Sequence, residues 1–358
     1  MNRPIAAQRL HNQRITRPGP RDVAALVSWL GAVQAQDYPA ARWALALRMP
    51  AGATAATIDR ALDAAQIVRT HVMRPTWHFV AASDVHWMLE LTADRVQQKL
   101  AYAFRFYELD SATRVRATRA IERAVGGGAH LTRNELGADL ARSGIAVAGV
   151  RLALMTIHAE VERVLCSGCQ RDGQSTYALL AARAPKPKRL PRDEALAELV
   201  RRYFGSHGPA TIRDFVWWFG LTAADAKRGL EMTRAKPASI DGHTYWACDA
   251  PRAAGAAVPA VSLLPRFDEY LVAYRDLDAV PRARAALGET VVAGGQVAGT
   301  WSASARGGDT VVDVRPLRRF TERERGALAA AAARYGRFLQ RPIVVTRSGR
   351  LTRIPTVV

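Results

Sequence analysis

The stretch from Leu30 to Leu47 reads LGAVQAQDYPAARWALAL and carries two glutamines, Gln34 and Gln36, that are one residue apart. Apolar residues at helical spacing precede the pair and follow it. On a continuous helix, side chains at i and i+2 point about 200° apart, whereas an extended chain places both on the same side. Asp37 is a good N-cap, and Pro39 suits the first turn of a new helix. We therefore expect both glutamines on a connection between two helices, with their carboxamides facing the same way.

The composition limits the classes of protein to which this chain can belong. The 358 residues carry a formal net charge of +19, which favours a polyanionic partner through counterion release, with nucleic acid preferred over acidic membranes or ribosomes. A hydrophobic fraction of 49% is typical of a globular chain. No apolar run approaches ~18 residues, so neither a membrane span nor a secretory signal is expected. Three cysteines make no disulfide framework, and we predict a cytoplasmic, nucleoid-associated protein.

A pattern of three helices and a hairpin recurs along the chain. This is the plan of a winged helix, a variant of the helix-turn-helix. The last part changes to short β-rich runs with one alanine-rich helix. We predict a mainly α chain with α+β modules, in which three tandem winged-helix domains precede a small β-barrel or curved sheet. The predicted domains are 1–111 with a bridging helix and the glutamine pair, 112–184, 192–250 and 255–358.

Polar and aromatic side chains cluster on the first predicted hairpin. Arg69 and Arg74 are candidates for phosphate contacts, and His71 or Trp77 for the cleft near the glutamines. Arg171 lies at the predicted tip of the second hairpin, in the turn sequence Arg-Asp-Gly. We predict DNA contacts for all five. The alternative for the first hairpin is a strand that alternates buried aromatics with solvated arginines. The alternative for Gln34 and Gln36 is that they are polar residues between helices that only contact solvent.

Neither a metal site nor a cofactor site is expected. Cys166 and Cys169 have the spacing of half a zinc knuckle, but no second pair follows at the usual spacing. Reduced thiols on a strand are the simpler interpretation. The chain contains no glycine-rich nucleotide-binding motif. We therefore predict no metal and no cofactor.

Several stretches resemble, in the same order, the bacterial winged-helix alkylpurine DNA glycosylases, relatives of the interstrand-crosslink glycosylases. They are RLHNQRI (9–15), WLGAVQAQDYPAARWALALR (29–48), THVMRPTWHFVAASD (70–84), LLPRFDEYLVAYRD (263–276) and VAGTWS (297–302). The resemblance places the family's catalytic motif, Gln-x-Gln or Gln-x-Asp, on Gln34 and Gln36. It also allows Asp268 or Glu269 to close against the first domain. Adjacent carboxylates on a strand would face opposite ways, which disfavours a glycosidase pair there.

The chemistry of a carboxamide limits the reaction that the motif can support. A glutamine is no general base at neutral pH, but it can hold and orient a water. This suffices when the leaving group is good, as for a purine made cationic by alkylation at N7 or N3, through an oxocarbenium-like transition state. We predict a monofunctional DNA repair glycosylase that acts as a monomer on damaged double-stranded DNA. The alternative is a non-enzymatic winged-helix DNA-binding protein or regulator.

Overall fold

The structure is a computed structural model that describes residues 3–248, 260–275, 280, 288–347 and 350–353. It begins with a helix, α1 (Arg3–Asn12), that the sequence patterns do not predict. Its buried face mixes Ile5 and Leu10 with Arg9, which is 1% exposed. Arg9 Nε donates to the Pro209 carbonyl at 2.9 Å, so a distant contact defines the inner face of this helix. A charged residue on a buried face hides the apolar periodicity on which helix prediction depends.

The first unit contains the glutamine pair. Its helices are α2 (Val23–Leu30), α3 (Tyr38–Arg48) and α4 (Ala55–Asp63), and its strands are β1 (Val33–Gln34), β2 (Ile67–Thr70) and β3 (His78–Ala81). The strands form an antiparallel sheet in the order β1-β3-β2. Gly31 ends α2 at φ +83°, which a glycine adopts without strain and which turns the chain into β1. Asp37 caps α3, because its Oδ1 accepts from Ala40 N at 3.0 Å. The helix α5 (Val85–Phe106) then leads to the second unit.

The second unit repeats this topology. Its helices are α6 (Ser111–Ala124), α7 (Arg133–Arg142) and α8 (Arg151–Val161), and its strands are β4 (Leu131–Thr132), β5 (Leu165–Ser167) and β6 (Thr176–Leu179), followed by the short helix α9 (Leu180–Arg183). The strand order is β4-β6-β5, so the strand from between the first two helices again pairs with the last strand. Thr132 and Glu135 form a capping box at the start of α7, which fixes the beginning of that helix.

The third unit has the same order of helices and hairpin, but its sheet has two strands. It consists of α10 (Arg192–Ser206), α11 (Ile212–Phe219), α12 (Ala223–Glu231), β7 (Lys236–Ile240) and β8 (His243–Ala247). An isolated bridge between Ala210 and Trp246 takes the place of the first strand. The helix-strand-helix-helix-hairpin order therefore recurs, while the winged-helix assignment and domain boundaries stay predictions. The predicted boundary at 250–255 lies outside the described residues.

The C-terminal part is an open sheet and not a barrel. Its elements are β9 (Ser262–Leu264), α13 (Glu269–Val272), β10 (Thr290–Ala293), β11 (Gln296–Arg306), β12 (Asp309–Pro316), α14 (Glu322–Leu339), β13 (Ile343–Arg347) and β14 (Arg350–Arg353). The strand order is β14-β13-β12-β11-β10-β9, with β9 and β14 at opposite edges. Of the two predicted forms, a small β-barrel or a curved sheet, the barrel is therefore wrong, and the strands form an open sheet. The apolar residues of the sheet pack with Leu328, Ala332 and Phe338 of α14, so a helix covers them and closure is not required.

The C-terminal part packs against α3, close to the glutamine pair. Trp43 Nε1 donates to the Leu263 carbonyl at 2.8 Å, and its ring lies 5.1 Å from those of Tyr335 and Phe338. Arg334 of α14 donates to the carbonyls of Ala46, Leu47 and Met49 at the C-terminal end of α3. These contacts satisfy backbone acceptors that the helix leaves free. None of the described helices is both long and apolar enough to cross a membrane.

Candidate active site

Gln34 and Gln36 lie on the connection between α2 and α3, where the sequence predicts them. Gln34 is half-buried, Gln36 is exposed, and Ala35 between them is fully buried. The Ala35 N–H donates to the Trp77 carbonyl at 2.7 Å, which holds this segment beside the chain that leads into β3. Because side chains alternate along an extended segment, burial of Ala35 turns both glutamines to the opposite side.

The two carboxamides differ in what they contact. Gln36 Oε1 accepts a hydrogen bond from Trp77 N at 3.2 Å. Gln34 Oε1 is buried and has no hydrogen-bond partner in the described ranges. A buried acceptor without a donor is unfavourable by roughly 1–3 kcal/mol. Gln34 therefore presents an acceptor that a bound group could satisfy, whereas the oxygen of Gln36 is already engaged.

Glu269 is a residue of this site that the sequence patterns did not identify. The prediction put Asp268 and Glu269 on a strand, but Asp268 is the N-cap of α13 and Glu269 its first residue. Glu269 Oε1 accepts from the backbone N–H of Gln34 at 2.7 Å. The predicted contact between this stretch and the first unit is thus present. One local signal could have predicted α13, because an aspartate before an apolar run is a typical N-cap.

The carboxylate of Glu269 is fully buried among aromatic groups of the third unit. Its Oε2 accepts from Trp218 Nε1 at 2.8 Å, and His207 Nε2 lies 3.5 Å away, at the limit of a hydrogen bond. Burial alone would raise the pKa of Glu269, but His207 and the Gln34 N–H outweigh it and the pKa is lowered. Glu269 is therefore a carboxylate in the neutral range of pH.

Two buried histidines beside Glu269 are neutral. His78 is paired with Gln34 across β1 and β3, and burial, aided by the charge of Arg74, lowers its pKa to about 3. Its Nδ1 lies 2.8 Å from the Thr76 carbonyl, which can only accept, so Nδ1 carries the proton. Burial also lowers the pKa of His207. The site next to Gln34 therefore holds an anion among uncharged rings.

Arg74 and Arg69 have different environments. Arg74 is half-buried, and its Nε and Nη2 have no hydrogen-bond partner in the described part of the chain. Arg69 is 9% exposed, and its Nε donates to the Ala35 carbonyl at 2.9 Å. Its guanidinium also lies over the Trp77 ring at 4.3 Å. Arg69 thus supports the backbone of the glutamine pair, a role the sequence did not predict, while phosphate contacts of both arginines stay predictions.

His71 and Trp77 contact each other beside the glutamine segment. His71 is 3% exposed, and its Nδ1 lies 2.5 Å from Oε2 of the buried Glu160. The ring centroids of His71 and Trp77 are 4.6 Å apart. Trp77 thus contacts Gln36 directly through its backbone N–H, and His71 contacts the ring of Trp77. Contacts of His71 and Trp77 with DNA stay predictions.

Arg171 is not in contact with the glutamine pair in the described structure. It is exposed on the turn between β5 and β6, forms an ion pair with Glu135, and donates from Nη1 to the His130 carbonyl at 3.2 Å. An exposed ion pair of this kind contributes little to stability, so its guanidinium is available to a phosphate. A DNA contact at Arg171 stays a prediction.

The cysteines are free thiols in the structure. Cys166 is buried, and burial raises the pKa of its thiol. Cys169 Sγ lies 3.5 Å from the Asp63 carbonyl. Within the described ranges, no group of three or more His, Cys, Asp or Glu residues is arranged to hold a metal ion.

Comparison with known proteins identifies the family. A solved structure, Streptomyces sahachiroi DNA glycosylase AlkZ, shares the fold with a TM-score of 0.78 at 23% identity, over 96% of this chain and 99% of that one. The curated interstrand DNA cross-link repair glycosylase of Streptomyces sahachiroi is 27% identical over 341 residues, or 84% of this chain and 87% of that protein. A family model described as DNA glycosylase AlkZ-like matches residues 27–338. The predicted resemblance is thus confirmed, and the chain belongs to the AlkZ-like DNA glycosylases, enzymes that act on N-glycosyl bonds in DNA.

Proposed function

We propose that this protein excises cationic N7- or N3-alkylated purines from double-stranded DNA, with the attacking water positioned by Gln34 and Gln36. The observation that carries the proposal is the buried Oε1 of Gln34, which has no hydrogen-bond donor among the described residues. A water that donates one hydrogen to this oxygen satisfies the acceptor and has a defined orientation. Gln36 contributes its exposed amide N–H groups, since its oxygen accepts from Trp77 N.

The reaction balances without a strong base. As the bond between C1′ and the purine nitrogen breaks, its electron pair goes to the purine and neutralises the positive charge of the alkylated base. The oriented water then forms a bond to C1′, and its surplus proton passes to solvent. Because the leaving group departs as a neutral molecule, positioning of the water is the main requirement. A carboxamide meets this requirement although it cannot accept a proton at neutral pH.

Charge and fold support the choice of DNA as substrate. The net charge of +19 favours binding to a polyanion, mainly through contacts with phosphates. Two buried guanidinium nitrogens of the half-buried Arg74 have no hydrogen-bond partner among the described residues, and a phosphate beside the alkylated nucleotide would supply acceptors for them. The curated relative is named for interstrand cross-link repair, so a crosslink through alkylated purines is a second substrate that requires the same bond cleavage.

The test is to incubate the protein with duplex DNA that contains one N7-methylguanine and to quantify the free base by chromatography. We expect release of N7-methylguanine and an abasic site that stays uncleaved, as for a monofunctional glycosylase. Binding of the duplex without release of any base would favour the non-enzymatic alternative and would contradict the proposal.

A further inference from the structure

We propose that Glu269 is a positioning residue of this reaction, which fixes Gln34 through its backbone N–H and holds a negative charge beside the oxocarbenium-like transition state. The inference rests on the function proposed above. It assigns a role to a buried carboxylate that lies outside the Gln-x-Gln motif.

The contacts of Glu269 join three parts of the chain at the glutamine segment. Glu269 begins α13 in the C-terminal part, its Oε1 accepts from Gln34 N at 2.7 Å in the first unit, and its Oε2 accepts from Trp218 Nε1 at 2.8 Å in the third. Both donors are neutral and cannot change roles, because an amide and an indole N–H only donate. The position of Gln34 along β1 is therefore coupled to the position of this carboxylate.

The neighbouring carboxylate shows what a purely structural acid looks like in this protein. Asp268 is bound by both terminal nitrogens of Arg48, each at 2.8 Å, and both side chains are buried. Glu269, the next residue, forms no ion pair with an arginine or lysine in the described structure. A buried carboxylate without a cationic partner loses its hydration, and its hydrogen bonds must offset that loss. A neutral glutamine has one acceptor oxygen, and its amide N–H would face one of the two donors, so only an anionic carboxylate accepts from both Gln34 N and Trp218 Nε1.

The electrostatic surroundings leave that charge effective. His78 and His207 are both uncharged at neutral pH, because burial lowers their pKa values. Arg74 and Arg48 both interact electrostatically with Glu269, but neither donates a hydrogen bond to it in the described structure, and Arg48 is paired with Asp268. When Arg74 binds a phosphate, its charge is balanced there, and Glu269 remains as a fixed anion in a water-poor site. A fixed charge in such a site stabilises an opposite charge that develops during the reaction.

The experiment compares Glu269→Gln, which keeps the length, loses the charge and replaces one acceptor oxygen with an amide N–H, with Glu269→Asp, which keeps the charge and loses length. Single-turnover release of N7-methylguanine is measured with enzyme in excess, together with the Kd for the same duplex and the thermal unfolding of each variant. We expect Glu269→Gln to slow release on the order of 10- to 10²-fold with Kd unchanged within about twofold. Glu269→Asp should release base faster than Glu269→Gln. Trp217→Phe, the matched control, removes an exposed indole N–H that donates to the Val272 carbonyl and not to Glu269, and should stay within about threefold of wild type.

Each outcome decides the role of Glu269. A wild-type rate constant for folded Glu269→Gln would overturn the inference, because base release would then not require the carboxylate. A rate constant lower for Glu269→Asp than for Glu269→Gln would also overturn it, because the length of the side chain would then matter more than its charge. If Glu269→Gln does not fold, Glu269→Asp alone decides: a rate constant lowered at least about threefold at unchanged Kd supports the role, and a wild-type value overturns it. If the wild-type protein releases no base, the proposed function fails, and this inference fails with it.

Discussion

Replacement of Gln34 by alanine should separate chemistry from stability. Gln34 Oε1 has no partner among the described residues, so its loss breaks no described hydrogen bond. The free energy of unfolding should change by less than about 1 kcal/mol, because a buried unpaired acceptor is removed. Base release should nevertheless fall on the order of 10- to 10³-fold, as expected when a group that orients the nucleophile is lost.

Gln36→Ala should behave differently, because Gln36 Oε1 accepts from Trp77 N. It should slow base release and also destabilise the protein by roughly 0.5–1.5 kcal/mol, the usual contribution of one hydrogen bond. The double variant should lose less than the product of the single effects, since both residues act on one water. Gln36→Asp should keep activity, because a carboxylate can also hold the water and accept its proton.

The assay is single-turnover release of N7-methylguanine from duplex DNA, with urea unfolding of each variant in parallel. Asp37→Ala is the matched control, because it lies next to the motif and caps α3. It should cost about 1 kcal/mol of stability with little effect on chemistry. The assignment is refuted if Asp37→Ala abolishes base release while both glutamine variants stay active, since the carboxylate would then be the base.

Three further predictions concern binding and pH. The affinity for undamaged duplex should fall by roughly 10³–10⁵ between about 50 and 200 mM salt if six to ten phosphates are engaged, and a salt-insensitive Kd in a titration would contradict this. Arg74→Ala should weaken duplex binding and lower the salt slope by about 1 with little change in urea unfolding; an unchanged Kd argues against its phosphate contact. His78 has a folded pKa of about 3 against about 6.5 when unfolded, so the unfolded state binds the extra proton and stability should fall as pH drops below about 6.5. His78→Gln should flatten this dependence of urea unfolding by up to about 1.4 kcal/mol per pH unit, and an unchanged slope would show that other groups cause it.

Local signals predicted the place of the glutamine pair correctly. Asp37 as N-cap and Pro39 in the first turn mark the start of α3 in the sequence and in the structure. Such signals act over three or four residues, so they can be read without knowledge of the fold. The same is true of the hairpin turn between β7 and β8, where Asp241 and Gly242 have the positive φ angles that the sequence suggests.

Long-range contacts could not be predicted from local sequence patterns, and only the family resemblance allowed Asp268 or Glu269 to close against the first domain. Glu269 and Gln34 are 235 residues apart, and no local pattern indicates that an acid near the end of the chain binds a backbone N–H near its beginning. The β-barrel prediction failed for a related reason. The alternation of apolar and polar residues predicts strands but not which strands pair. Here β12 pairs in parallel with β13, and the helix α14 connects them, so the sheet stays open and a helix covers it.

Arg69 makes contacts that the sequence patterns did not indicate, while its phosphate contact stays a prediction. Its place beside Trp77 on a basic stretch suggested an exposed phosphate contact, because arginines are mostly exposed. The structure instead buries it against the carbonyls of Ala35 and Gln36. An arginine that satisfies backbone acceptors in this way is invisible to sequence patterns, since the acceptors carry no side-chain signature.

The central claim is that the glutamine site cleaves the N-glycosyl bond only when the leaving base is cationic. The most direct measurement compares two duplexes of the same sequence, one with N7-methylguanine and one with uracil, under single-turnover conditions with the wild-type protein. We predict release of N7-methylguanine and no enzymatic release of uracil, because two carboxamides supply no acid to activate a neutral leaving group. Release of uracil at a comparable rate, or no release of N7-methylguanine, would contradict the account.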